Sequence, residues 1–181
     1  MKNLLLLLTF SLLISHSGFG QKFFTRTGKV SFKSETPIET IEAHNYQVTS
    51  LLNSENGEVV FAVLIKSFEF DKALMQEHFN ENYMESSKYP KSEFKGKIID
   101  LNKIKFDKEG SYQVQVEGEL TMHGVTQKLS VPATIEVKGE KIFASAVLQI
   151  RLKDYNIKGM KDKIAESVTV KVDLNYDPYK K

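Results

Sequence analysis

The fold is decided by residues 112–137, YQVQVEGELTMHGVTQKLSVPATIEV. Tyr112, Val114, Val116, Gly118, Leu120 and Met122 alternate with Gln113, Gln115, Glu117, Glu119 and Thr121. That period of two marks a strand with one dry face and one wet face. His123-Gly124 is the turn: glycine takes positive φ without strain, and histidine is among the residues enriched there. A two-residue hairpin loop needs that geometry. It sets Met122 against Val125, Val116 against Val131, Val114 against Ala133 and Tyr112 against Ile135. On the outer face Thr121 meets Thr126 and Glu119 meets Lys128. A slip of one residue would put every pair on the wrong face. Gln127, opposite Leu120 on the dry face, belongs near a rim. Pro132 has no N–H, so the return strand is an edge there or carries a bulge.

Outward from this hairpin, strands follow one another closely. Lys22 to Lys33 and Tyr46 to Leu52 read as strands, with Ile38 to His44 ambiguous between them. Asn56-Gly57 marks the next hairpin. Val59 to Ile65 is unbroken apolar sequence, which predicts a strand covered on both faces. Glu93 to Leu101, Ile142 to Leu152 and Ser167 to Tyr176 complete the set. Asp71 to Met84 alone has helical period, with Leu74, Met75, His78, Phe79 and Tyr83 on one face and Asp71 placed to cap it. The pattern predicts an all-β chain with one inserted helix, a closed antiparallel barrel of about eight strands. A two-sheet sandwich is the alternative. An eight-stranded barrel can hold one small ligand, and the inward residues here are apolar.

Residues 1–20 read as a signal peptide. Lys2 is the charged start, Leu4 to Ile14 is too short to span a bilayer, and Gly18-Phe19-Gly20 precedes a cleavage point at Gln21. The remainder, residues 21–181, is one domain by size. The chain has no cysteine, so neither disulfides nor an acylated cysteine are available to it. Export without cysteine fits a bacterial periplasm. The near-neutral charge argues against nucleic acid as a partner. No later apolar run is long enough for a membrane span.

Catalytic arrangements are not found in the sequence. There is no G-x-S-x-G, no phosphate-cradling glycine loop and no H-E-x-x-H. No cofactor or metal is implied. His78 has Glu77 and Glu81 beside it, and packing at the helix–barrel boundary is the plainer role. His123 is either a turn residue alone or a contact for a ligand head group at the barrel mouth. The helix either packs on the barrel or covers its mouth, a role to which methionine is suited.

The segment Gly118-Glu119-Leu120-Thr121-Met122-His123-Gly124-Val125-Thr126-Gln127-Lys128 resembles the "G-x-LT-h-HGVTK" signature of the YceI-like family. His78-Phe79 through Lys88-Tyr89-Pro90 to Phe94, and Asp154-Tyr155-Asn156-Ile157, resemble two further family segments in order and spacing. The resemblance runs from about Lys66 to the end of the chain. It implies a lipocalin-like periplasmic barrel that binds polyisoprenoid lipid without catalysis. The ligand expected is then an isoprenoid, an isoprenoid quinone or another long-chain lipid. Phe61, Leu74, Met75, Phe79, Tyr83, Phe94, Tyr112, Val114, Val116, Leu120, Met122 and His123 are the candidate cavity and mouth residues. Burying each methylene stabilises by roughly 0.8 kcal/mol, so a few isoprene units offset ordering costs of about 4–15 kcal/mol. The rival reading is a structural or interaction module with a filled core; a void of a few hundred Å³ separates the two. The oligomeric state is open, a dimer included.

Overall fold

The computed structural model describes residues 21–159 and 163–179. The expected signal peptide lies outside the described residues. The strands are β1 (Lys22–Glu35), β2 (Thr40–Asn53), β3 (Glu58–Leu64), a two-residue β4 (Glu69–Phe70), β5 (Lys91–Ile98), β6 (Gly110–Met122), β7 (Val125–Lys138), β8 (Lys141–Arg151) and β9 (Ser167–Pro178). All pair antiparallel, and β1 closes the sheet by pairing with both β2 and β9. The result is a closed eight-stranded barrel, with β4 extending the upper edge of β2 at Ala43 and His44. The sandwich alternative is thereby excluded.

The β6–β7 register is the one expected, from Met122↔Val125 to Tyr112↔Ile135, with Glu119↔Lys128 outside. His123 (φ 50) and Gly124 (φ 75) both occupy the left-handed region that the two-residue loop requires. Pro132 marks the edge its chemistry predicts. β8 pairs with β7 only from Ala133 to Lys138, so Val125–Pro132 is open on that side. Strands β5 and β6 meet at Gly96↔Gly118. The Phe94 ring lies over that pair, and a Cβ on Gly118 would stand 2.4 Å from the Lys95 carbonyl oxygen.

Three expectations need correction. The Val59–Ile65 run is not covered on both faces, since Val60 and Leu64 are exposed on the outside of β3. The inserted helix lies at the barrel's end and leaves this wall to solvent. The helix itself is shorter than its periodicity implies. α1 (Ala73–His78) gives way to a π turn over Phe79–Tyr83, in which Met84 N–H donates to Phe79 O. Asp71 does not cap it; Lys72 occupies that position without a side-chain bond. The ambiguous segment before Tyr46 is strand from Thr40 onward. Buried Asn45 holds the gap between the β3 and β4 pairings of β2, donating through Nδ2 to Leu64 O at 2.8 Å.

Successive antiparallel strands bring four connections to one end of the barrel. These are the β1–β2 turn, the α1 segment, the His123-Gly124 turn and the β8–β9 connection. The opposite end is closed by the β5–β6 connection, where Ile104 is buried and Phe106 stacks on Phe23.

Candidate functional site

The barrel is hollow at the α1 end. A chamber of about 500 Å³ is walled by side chains of β1, β3, β6, β8 and β9 and covered by α1 and its π turn. Below it a second void of about 90 Å³ continues toward Ile98 and Tyr176. The two share Phe61, Leu129, Leu148 and Val172 in their walls, so they are stacked along one axis. An apolar cavity of roughly 150 Å³ already stays dry and accepts benzene; the upper chamber is larger than that.

Of the candidate residues, Phe61, Leu120 and Met122 line the upper chamber from the wall. Leu74, Met75, Phe79 and Tyr83 line it from the cover. Phe94 and Val116 line the lower void with Phe61, whose ring stacks on Phe94 at 5.2 Å. Tyr112, Val114 and His123 line neither. Tyr112 sits at the closed end, its hydroxyl donating to Lys108 O at 3.2 Å. Val114 is packed in the core. His123 is a fastening: its Nδ1 donates to Tyr155 O at 3.0 Å, and its Nε2 lies 2.9 Å from Glu85 Oε2.

Other chamber residues come from segments that sequence reading did not single out as site. Phe32, Phe68 and Phe70 surround Phe79, at ring distances of 5.5, 5.4 and 5.0 Å. This cluster seats the cover on β1 and β4. The alternation Phe68-Glu69-Phe70 was the available signal. On the far wall Leu129 and Leu148 flank the stretch where β7 and β8 part. The 3₁₀ turn Leu152–Tyr155 fills the top of that parting. Gln127 holds it there, donating through Nε2 to Asp154 O at 2.8 Å, as its rim position on the dry face predicts.

Among the described residues, polar groups are few and mostly at the opening. Glu39, Lys72, His78 and Lys163 reach the mouth, and Ser34 and Ser92 lie in the wall. Burial pushes the Tyr155 hydroxyl up to about 12, with the Asp154 charge adding to it. Burial also raises Tyr176 in the lower void, opposed by its 2.7 Å hydrogen bond with Ser50. Among the described residues no three His, Cys, Asp or Glu gather into a metal-binding group. No described helix is long and apolar enough to cross a membrane.

The barrel, its cover and the turn motif converge on one family, and the YceI-like domain matches residues 12–176. The chain belongs to the YceI-like domain family. Solved structures share the fold of this YceI-like chain. A polyisoprenoid binding domain from Saccharophagus degradans, implicated in plant cell wall breakdown, superposes with a TM-score of 0.76 at 14% identity. That match covers 88% of this chain and 99% of the other. Burkholderia cenocepacia BcnA gives 0.65 at 18% identity, covering 82% and 95%. The Campylobacter jejuni YCEI protein gives 0.62 at 16% identity, covering 81% and 90%. Curated protein sequences give no match to this YceI-like chain.

Proposed function

We propose that this YceI-like barrel is a periplasmic carrier that holds a polyisoprenoid or isoprenoid-quinone-like chain in its interior without chemical change. The observation that carries the reading is the chamber of about 500 Å³, apolar in its wall and closed at the far end. Such a volume is within the range of small-molecule sites. A filled-core module would have close-packed this space. The walls favour hydrocarbon because a small polar metabolite needs several convergent polar partners, and these walls offer two serines. The structural neighbour described as a polyisoprenoid binding domain supports the isoprenoid class. The signal-like residues 1–20 and the absence of cysteine support the periplasm.

The test is to purify the protein from its own cell envelope and identify extracted lipids by mass spectrometry. Isoprenoid lipid is expected at near-stoichiometric amount, in a periplasmic fraction. Protein that emerges empty, and takes up no isoprenoid quinone from liposomes, overturns the reading.

A further inference from the structure

Ser92 is the second residue of β5, and its neighbours on the sheet are apolar. It pairs with Val63 on β3, and the β5–β6 register places it beside Met122. Val63 and Met122 line the upper chamber with it, as do Tyr83 and Met84 of the cover. Ser92 is only 6% exposed, and its hydroxyl has no hydrogen-bond partner among the described residues. The other serine of the wall, Ser34, is already engaged, its Oγ accepting the Ala165 N–H at 3.0 Å. A buried hydroxyl without a partner is destabilising on its own, and native structures retain such groups where something else satisfies them.

We infer that Ser92 is the polar anchor of the chamber: its Oγ, fully covered as it stands, turns into the chamber by a change of χ1 rotamer and hydrogen-bonds a single uncharged oxygen on an otherwise hydrocarbon ligand. The inference rests on the carrier reading above and narrows it to a chemical class. Ser92 stands near the mouth end of the wall, just beneath the cover. The oxygen therefore sits at the head of the ligand, and the tail runs past Phe61 and Leu148 toward the lower void. A hydroxyl both donates and accepts, so an alcohol or a quinone carbonyl serves. A charged head does not. The residues that line the chamber with Ser92 at this level are Val63, Met122, Tyr83 and Met84; none is charged, so a charge buried there would be unpaired. Among the described residues, the groups that could meet a charge are Lys72, His78 and Lys163 at the mouth, where Glu39 also lies.

The experiment compares three probes of equal chain length: geranylgeraniol, the same hydrocarbon without oxygen, and geranylgeranyl phosphate. Kd is read by displacement of an apolar fluorescent dye from the wild type, Ser92→Ala and Ser92→Thr. The wild type is expected to bind the alcohol about tenfold tighter than the hydrocarbon, as one buried hydrogen bond allows. The phosphate is expected to bind more weakly than the alcohol. Ser92→Ala should erase the alcohol's advantage while leaving hydrocarbon binding unchanged, and Ser92→Thr should restore it. Without ligand, Ser92→Ala should melt no lower than wild type, because no internal bond is lost. An unchanged alcohol-to-hydrocarbon ratio in Ser92→Ala, or tightest binding by the phosphate, overturns the inference while the carrier reading stands. Failure of all three probes to bind the wild type overturns both.

Discussion

His123 Nε2 lies 2.9 Å from Glu85 Oε2, and this pair joins the far end of the cover to the β6–β7 turn. The other ring nitrogen, Nδ1, meets Tyr155 O in the β8–β9 connection. One imidazole thus ties together three of the four connections at the chamber's end. The Tyr155 carbonyl only accepts, so Nδ1 must carry a proton. The carboxylate also accepts, so the bond to Glu85 is complete only when the ring carries both protons. Tyr89 packs edge-on against the ring at 4.7 Å and holds it in place.

Replacing His123 with alanine should cost about 1–3 kcal/mol, because the Nδ1 bond is lost and the Tyr155 carbonyl is left without its donor. The side chain of His123 is 10% exposed, whereas that of Glu85 is 46% exposed. Glu85→Gln should therefore cost much less, about 0.5–1 kcal/mol. Glutamine is the better probe than glycine, since Glu85 has φ 43 and glycine would relieve that strain. Urea denaturation of both variants measures the difference. Nitrogen chemical shifts of the ring should show Nδ1 protonated.

Gly118→Ala should be more damaging than its size suggests. The new methyl would meet the Lys95 carbonyl oxygen and the Gly96 Cα, both backbone, and the Phe94 ring at 2.7 Å. The β5 backbone at Lys95 and Gly96 cannot yield without parting β5 from β6. A loss of about 1–3 kcal/mol is expected from overpacking, together with a disturbed stack between Phe61 and Phe94. Thermal unfolding and the aromatic near-ultraviolet signal report the two effects separately.

The alternation of residues 112–137 carried the register down to individual pairs, because a one-residue slip would expose every apolar side chain. The cover was less legible. A π turn keeps apolar side chains at near-helical spacing, so Phe79–Tyr83 reads as continuous helix. Val60 and Leu64 misled because apolar side chains also stand on solvent faces. Neither hollowness nor the role of His123 is local. Alternating apolar residues encode a filled barrel and an empty one alike. The partners of His123 lie 38 and 32 residues away, Glu85 before it and Tyr155 after it.

Alkaline pH should unfold the barrel through two buried phenols. Tyr155 is raised to about 12 by burial, and Tyr176 is raised by burial as well. In the unfolded chain each titrates near 10. The folded state therefore holds protons that the unfolded state releases, and stability falls as pH rises above about 10. Below that pH these two groups make no difference. Tyr155→Phe should soften the loss, because its hydroxyl has no hydrogen-bond partner among the described residues to forfeit. Melting temperature measured from pH 8 to 12, with tyrosinate absorbance followed alongside, tests the sign and the window.

Filling the chamber should separate ligand capacity from stability. Leu148 lines both voids and packs against the apolar clusters on either side of it. In a close-packed core Leu148→Trp would overpack and destabilise by about 1–3 kcal/mol. Here the larger ring has empty space to enter, and each added apolar contact is favourable by dispersion and by burial. The variant should melt at or above the wild-type temperature while taking up markedly less isoprenoid. Phe79→Ala should do the opposite at the other end of the chamber. It removes the ring on which Phe32, Phe68 and Phe70 converge, so it loosens the cover and lowers stability while leaving the walls intact. Isoprenoid should then exchange faster without loss of capacity. A Leu148→Trp protein that melts lower and still fills to the wild-type level would mean that the space in the barrel is not where the hydrocarbon goes.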